Sequence, residues 1–422
     1  MNALATGPVR DVEADDRPAS RRPRGLILTN LFATPAEPAR ATFNQQQFRE
    51  LAKVHDLLVI VPLARRYPCA PNLRRTQSAS VPGLGIVYFD VWHPAVLGRI
   101  TNASFIERRV RRLLGEELAR WNPDYVLGSF AYPEGVAAVK LGRRFGIPAF
   151  IKVHGSDING MLDGWGIGPQ IRKALRSAEG VVAVSKALAE RAERVRGASA
   201  GVLLLYNGVD RAQFRPMDRS AARRELGLDD RRRSILYVGN LKRDKGVLDV
   251  VQAFADISSA HADVDLDIVG AGPAIEEVTS LIDRLGLKDR VRLRGTQSHS
   301  MLPAWFAAAH LLCLPSYAEG VPNVVVEALA CGRPVVATRV GGIPEILAEA
   351  SGHLVEARNT AQLSRALSNV LSRSWEPAAL SASLPVSDWR DNGARLATFL
   401  SSTNRLAKPD HSLRAVHESG RR

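Results

Sequence analysis

Cysteine is almost absent from this 422-residue chain, which has only Cys69, Cys313 and Cys331. Three scattered cysteines cannot form a disulfide framework or a thiolate metal cage, so a reducing, cytoplasmic setting without structural zinc is expected. Long apolar runs are missing too. No window approaches ~18 consecutive apolar residues, and residues 1–24 mix Arg, Asp, Pro and Ala without the apolar centre of a secretory signal. Neither a spanning helix nor export is expected. Aromatic residues make up only 6% of the chain, which argues against a nucleic-acid groove built on interleaved stacking side chains.

What is present is ordinary globular composition, 45% hydrophobic and 24% charged. The length suits two domains of roughly 200 residues each. The formal net charge of +14 is unevenly spread. Residues 25–215 hold 26 basic and 15 acidic side chains, whereas residues 216–404 hold 21 and 22. A basic half beside a neutral half points to one domain that meets an anionic substrate or surface: phosphate, nucleic acid or lipid headgroup.

Short apolar runs bounded by turn residues lie at 25–29, 57–61, 86–89, 125–127, 149–153 and 180–184, with helical patterns at 43–53, 104–121 and 134–145. A second series predicts strands at 235–238, 266–269, 291–293, 311–314 and 335–337, and helices at 247–257, 274–285, 299–308 and 323–331. Such alternation predicts α/β architecture, two doubly wound Rossmann-like domains facing across a cleft. The expected divisions are a flexible tail (1–24), an N-terminal domain (25–205), a linker carrying Asn207-Gly208 and Pro216 (206–218), a C-terminal domain (219–385), a helical stretch (386–400) and a second tail (401–422). Parallel sheets bind ligands beyond the carboxyl ends of their strands, so the chemistry belongs to loops that follow strands in both halves.

The strongest local signal runs from Ser316 to Pro334. A strand ends at Pro315, a loop with Gly320 follows, Pro322 stands where a first helical residue belongs, and Gly332 is placed to end the helix. The backbone N–H groups of the stretch Gly320 to Val324, Pro322 having none, then face an anion, with the helix dipole adding attraction, and a diphosphate fits. Asn323 and Glu327 share a helix face. Glu327 sits among Val, Ala and Leu, where a carboxylate is costly to bury without donors; two ribose hydroxyls would supply two. Glu319 would reach the sugar side of the same ligand.

Glu319, seven residues, Glu327, then Ala328 to Ala337 and Gly341-Gly342-Ile343-Pro344-Glu345-Ile346 resemble the donor-binding signature of the retaining glycosyltransferases of family 4, which have the two-Rossmann GT-B fold. Asn207-Gly208-Val209-Asp210, Val238-Gly239-Asn240-Leu241 with Lys245-Gly246, Val269-Gly270-Ala271-Gly272-Pro273 and His154-Gly155-Ser156-Asp157 fit it as well. The resemblance implies a nucleotide-sugar donor in the C-terminal domain, bound by Asn240, Lys245, Glu319, Gly320, Val321, Pro322, Asn323 and Glu327. It implies catalytic roles for His154, Glu319 and Lys245, with Lys245 neutralising the leaving diphosphate. The N-terminal domain would receive the acceptor, with Asp157 on that side. Relatives carry an Arg directly after Gly239; here Asn240 stands there, and Lys242 or Arg243 are the neighbouring cations. The stretches Leu28 to Phe32 and Gly155 to Asn159 are similar to a bacterial cell-wall and exopolysaccharide subgroup, which implies a lipid-linked saccharide acceptor.

No cofactor and no metal are expected. The nine His and the carboxylates show no facing ligand pair, and Gly270-Ala271-Gly272 lacks the third glycine of a dinucleotide fingerprint because Ile275 stands there. Arg108, Arg109, Arg111 and Arg112 lie on one predicted helix whose apolar positions Ile106, Val110, Leu113, Leu114 and Leu118 form a continuous face. They are either a solvated basic side or a peripheral contact with anionic lipid at the inner face of the membrane. The competing functional class is a non-catalytic sugar-nucleotide or nucleic-acid binding protein; it leaves Glu319 and Glu327 without a task.

Overall fold

Two parallel sheets carry the molecule. The structure, a computed structural model, describes residues 21–34, 37, 40–65, 73–77, 83–92, 97–197 and 201–402; Cys69 and most of both expected tails lie outside them. The first sheet comprises β1 (Arg24–Leu28), β2 (Asp56–Arg65), β3 (Leu73–Gln77), β4 (Leu84–Trp92), β5 (Tyr125–Ser129), β6 (Ala149–Val153), β7 (Gly180–Ala183) and β8 (Val202–Leu204). Its order is β3-β4-β2-β1-β5-β6-β7-β8, and only the β3–β4 pair is antiparallel. The second comprises β9 (Arg233–Val238), β10 (Val264–Val269), β11 (Val291–Gly295), β12 (Leu311–Leu314), β13 (Val335–Thr338) and β14 (Gly352–Val355), all parallel, in the order β11-β10-β9-β12-β13-β14. Each sheet reverses direction of growth beside its first strand, between β1 and β5 and between β9 and β12. Those are the points where a doubly wound sheet opens a crevice for ligand.

The strands form where the sequence offers residues that can be buried on both faces. All five residues of β6 and all four of β13 are buried, as expected for interior parallel strands covered by helices. The strands that the apolar runs do not predict are β3, β8 and β14. β3 reads Leu-Arg-Arg-Thr-Gln, and all three stand at a sheet edge, where one side meets solvent and the apolar signal fades. The helix expected at 104–121 begins earlier, at Leu97, and runs to Trp121; Ile106, Val110, Leu114 and Leu118 are buried in the first core.

The chain crosses between domains twice. The segment around Asn207 to Asp210 leads into the second domain, and the final helix, Trp389–Ser402, returns to lie against the helix Thr42–Leu51. Leu396 and Leu400, both fully buried, join Ile27 and Phe48 in one cluster, and each contributes roughly 1.5–3 kcal/mol by leaving water. A parallel bridge joins Val209 to Asp388 where the two crossings pass each other. The helical stretch at the end of the chain is therefore part of the first domain's packing.

Candidate active site

The loops after β9 and β12 meet at the second sheet's crevice. After β9 the chain passes through Asn240 to a short turn, Arg243–Lys245, and Gly246 with φ 68°. A Cβ on Gly246 would lie 2.1 Å from the Pro315 carbonyl oxygen, so only glycine lets the two loops come this close. The Tyr317 amide donates to the Asp244 carbonyl at 2.8 Å. The result is a direct pair, Lys245 Nζ to Glu319 Oε1 at 2.7 Å, with side chains 28% and 12% exposed. A pair of this kind contributes about 0–1 kcal/mol.

Beyond Glu319 the helix Asn323–Ala330 begins. Pro322 is its N-cap, with extended ψ 124°, rather than its first residue; the expectation was one position off. Among the described residues, no protein acceptor takes the backbone N–H groups of Gly320, Val321, Asn323 and Val324. These are the donors that the first turn of a helix leaves open. The Asn323 side chain is engaged: its Oδ1 accepts from Asn207 Nδ2 at 3.1 Å.

Glu327 is 8% exposed, as its apolar setting implied. Beside the two ribose hydroxyls expected as donors, the protein supplies one of its own. His299 Nε2 stands 3.0 Å from Glu327 Oε1, and that bond raises the imidazole's pKa. His299 is itself fixed by the edge of Phe214, with ring centroids 5.1 Å apart. One donor to the buried carboxylate is thus protein. Asn240 is exposed, and its carbonyl accepts from Tyr237 Oη at 3.2 Å. Of the two cations near it, Arg243 is held by Glu277 at 2.7 Å, whereas Lys242 is exposed and has no ion pair among the described residues.

The first domain contributes His154, directly after β6. Its Nε2 lies 2.9 Å from Ser129 Oγ, and Phe43 and Phe130 flank the ring at 5.3 and 6.1 Å. Burial, reinforced by the nearby charge of Lys152, holds its pKa well below the usual range, so the imidazole is neutral. Asp157 does not stand free on an acceptor side. It is fully buried, and its carboxylate accepts from the amides of Ala131, His154, Gly155 and Ile158 at 2.8 to 3.2 Å. It builds the loop that places His154, which corrects its expected position.

The two halves touch here. A Cβ on Gly320 would lie 2.4 Å from the His154 carbonyl oxygen, and one on Gly155 would lie 3.1 Å from Gly320 Cα. His154, Lys245, Glu319 and the open amides after Gly320 therefore share one cleft, while Asp157 stands behind it. Sequence reasoning missed Glu345. Its carboxylate accepts from the amides of Lys186 (2.6 Å) and Ala187 (3.0 Å) in the first domain and from Tyr206 Oη (2.8 Å). It also missed Lys152, fully buried on the amide oxygens of Gln47 (2.7 Å), Asn44 (3.3 Å) and Asn207 (3.5 Å).

Arg108, Arg111 and Arg112 are exposed on the helix Leu97–Trp121 and Arg109 is partly so; Arg111 leans on Glu107 at 3.5 Å. Among the described residues no helix is long and apolar enough to cross a membrane, and no group of three or more His, Cys, Asp or Glu is arranged to hold a metal ion.

The profile of the glycosyl transferases group 1 matches residues 218–383, and that of the glycosyl transferase 4-like domain matches residues 41–208. TuaC of Bacillus subtilis, named for teichuronic acid biosynthesis, is 29% identical over 354 residues, 81% of this chain and 87% of its own length. A GDP-mannose-dependent phosphatidylinositol monomannoside mannosyltransferase of Mycolicibacterium smegmatis is 28% identical over 396 residues, 89% of this chain and 98% of its own. Sucrose-phosphate synthase of Thermosynechococcus elongatus, at 20% identity, superposes with a TM-score of 0.69 over 92% of this chain and 98% of its own. Two matched domains that together span most of the chain, on a pair of facing Rossmann-like sheets, make this protein a member of the group 1 glycosyltransferases of the family 4 kind, with the GT-B fold.

Proposed function

We propose that this glycosyltransferase moves a sugar from a nucleoside diphosphate donor to an acceptor hydroxyl with retention of anomeric configuration, without a metal ion or other cofactor. The observation that carries the reading is the Lys245–Glu319 pair, 2.7 Å apart, beside open helix amides and opposite His154. As the bond from the anomeric carbon to the diphosphate breaks, negative charge grows on the departing phosphate oxygen. Lys245 and the amides of Gly320, Val321, Asn323 and Val324 are placed to take that charge. Glu319, freed from Lys245, accepts hydroxyls of the donor sugar, and Glu327 with His299 holds the ribose. The acceptor oxygen attacks from the leaving-group side, and its proton passes to the phosphate oxygen. Neutral His154 offers its ring and its carbonyl to the sugar.

The acceptor in this reading is a lipid-linked or other cell-surface saccharide. Support comes from relatives named for teichuronic acid and for phosphatidylinositol mannoside synthesis, and from the basic first half. The protein would work in the cytoplasm, with Arg108, Arg109, Arg111 and Arg112 resting on anionic lipid. Binding to anionic liposomes that disappears on reversing these four charges is expected; equal binding to neutral and anionic vesicles refutes the lipid contact. For the reaction itself, hydrolysis is measured over a panel of UDP-, GDP- and ADP-sugars. One donor is expected to be consumed, with His154→Ala and Glu319→Ala each lowering turnover more than ~tenfold in a folded protein. A chain that binds donors and consumes none is a binding protein, and the proposal then fails.

A further inference from the structure

The second domain has another crevice, at the edge of its sheet away from the cleft. Arg233 opens β9, His310 directly precedes β12, and Arg333 and Pro334 directly precede β13. These residues line a cavity of about 360 Å³, together with Leu371, Arg373 and Trp375 at and after the end of the helix Thr360–Leu371. Six residues of β9, rising roughly 3.3 Å each, separate this edge from the loops that carry Lys245 and Glu319. The crevice is therefore no part of the donor cleft.

Four arginines line the cavity, Arg219, Arg233, Arg333 and Arg373, and among the described residues no Asp or Glu does. Arg233 is neutralised by Asp263 at 2.6 Å; the other three have no ion pair among the described residues. Arg219 and Arg373 are exposed, and Arg373 lies over the Trp375 ring, 4.5 Å from its centroid. Arg333 is only 6% exposed, and its side chain makes one long hydrogen bond among the described residues, Nη2 to the Met217 carbonyl at 3.4 Å. A guanidinium so far from water is costly to keep without a counter-charge. His310 adds a donor. Its Nδ1 accepts from the Ser234 amide at 3.2 Å, which leaves the ring proton on Nε2, and that N–H has no partner among the described residues. Burial, with the charges of Arg219, Arg223, Arg233 and Arg333, holds the ring's pKa down at about 3, so the field around it is positive. Capping of the neighbouring helix does not account for this excess of charge: the Leu371 carbonyl already has Arg233 at 2.9 Å, and the Val370 carbonyl has the Trp375 indole at 3.0 Å.

We propose that this cavity binds a phosphate group, as inorganic phosphate or a phosphomonoester, held by Arg219, Arg333, Arg373 and the Nε2–H of His310. Guanidinium forks match the spacing of phosphate oxygens, and three cations without counter-ions in one concavity favour an anion that carries more than one charge. The volume lies within the ~300–1,000 Å³ typical of small-molecule sites. Because the crevice stands apart from the cleft, the proposal does not depend on the transfer reaction.

Calorimetric titration of the full chain with inorganic phosphate and, separately, with ribose 5-phosphate tests this. At least one of the two is expected to bind with a Kd below ~1 mM and to raise the melting temperature. Tighter binding of the ester would identify a phosphorylated small molecule as the occupant, and equal or tighter binding of inorganic phosphate the free ion. Arg333→Met, and the pair Arg219→Gln with Arg373→Gln, should each weaken binding at least ~tenfold, about 1.4 kcal/mol, and phosphate should no longer raise their melting temperatures. Lys245→Ala, which alters the cleft alone, should leave phosphate binding within about twofold. Should Arg333→Met fail to fold, the exposed pair carries the test. No binding of either probe to the wild type, binding unchanged in a folded variant of the cavity, or binding lost in Lys245→Ala overturns the proposal.

Discussion

Lys152 places an ammonium group in the middle of the first domain with no carboxylate among its hydrogen-bond partners, only the amide oxygens of Gln47, Asn44 and Asn207. Burial lowers its pKa to about 7 from an ordinary 10.5. The unfolded chain therefore binds more protons than the folded one between about pH 7 and 10.5, and stability must rise with pH across that window. The contribution is complete above the unfolded value and lost as pH falls through 7. Lys152→Met should remove this rise, worth a few kcal/mol, which urea unfolding at pH 7 and pH 9.5 measures; an unchanged pH slope would show that the folded lysine titrates normally. The residues legible in the sequence, His154, Lys245, Glu319 and Glu327, sit inside short contiguous motifs that announce a strand end or a helix start. Those not legible owe their roles to distant partners: Lys152 meets Gln47 across 105 residues, and His299 meets Glu327 across 28. Asp157 misled because a polar residue beside a strand-end His serves a loop as readily as a ligand.

Among the elements, the helix Asn323–Ala330 and the loop before it form the second domain's wall of the cleft, and Gly320 is the residue that brings them against the first domain. A methyl group there meets the His154 carbonyl oxygen at 2.4 Å, a backbone atom that cannot swing aside. Overpacking of this kind costs about 1–3 kcal/mol, here levied on cleft closure rather than on either domain's own core. Gly320→Ala should lower sugar transfer at least ~tenfold while the melting transition stays within a few degrees. Full transfer by the variant would mean that the working cleft does not bring His154 onto Gly320. The elements themselves were largely readable, since a strand buried on both faces must be apolar throughout, as in β6, β12 and β13. The edge strands β3, β8 and β14 and the helices Lys186–Arg196 and Thr360–Leu371 were not, because neighbouring elements supply the burial that defines them.

At the scale of the whole molecule, the cleft is held by contacts that join the domains at separate points, and Glu345 has the clearest energetic role. It belongs to the second domain but accepts from the first two amides of the helix Lys186–Arg196 in the first, 2.6 and 3.0 Å away, and from the linker's Tyr206 hydroxyl. Ser185 caps that same helix internally through the Leu188 amide, so the helix remains formed when the domains part, and the carboxylate acts on closure alone. A carboxylate at a helix N-terminus contributes about 0.3–2 kcal/mol, and the part-buried Tyr206 bond adds to it. Removing the group should shift the open-closed balance by roughly tenfold. Glu345→Ala is therefore expected to enlarge the radius of gyration in small-angle scattering and to raise donor hydrolysis relative to transfer, since an open cleft admits water. Because the interaction is charged and partly exposed, added salt should widen the wild type toward the variant and leave the variant unchanged. A variant as compact as the wild type at low salt would show that the contacts at Gly320 and at Asn207 with Asn323 hold the cleft without Glu345.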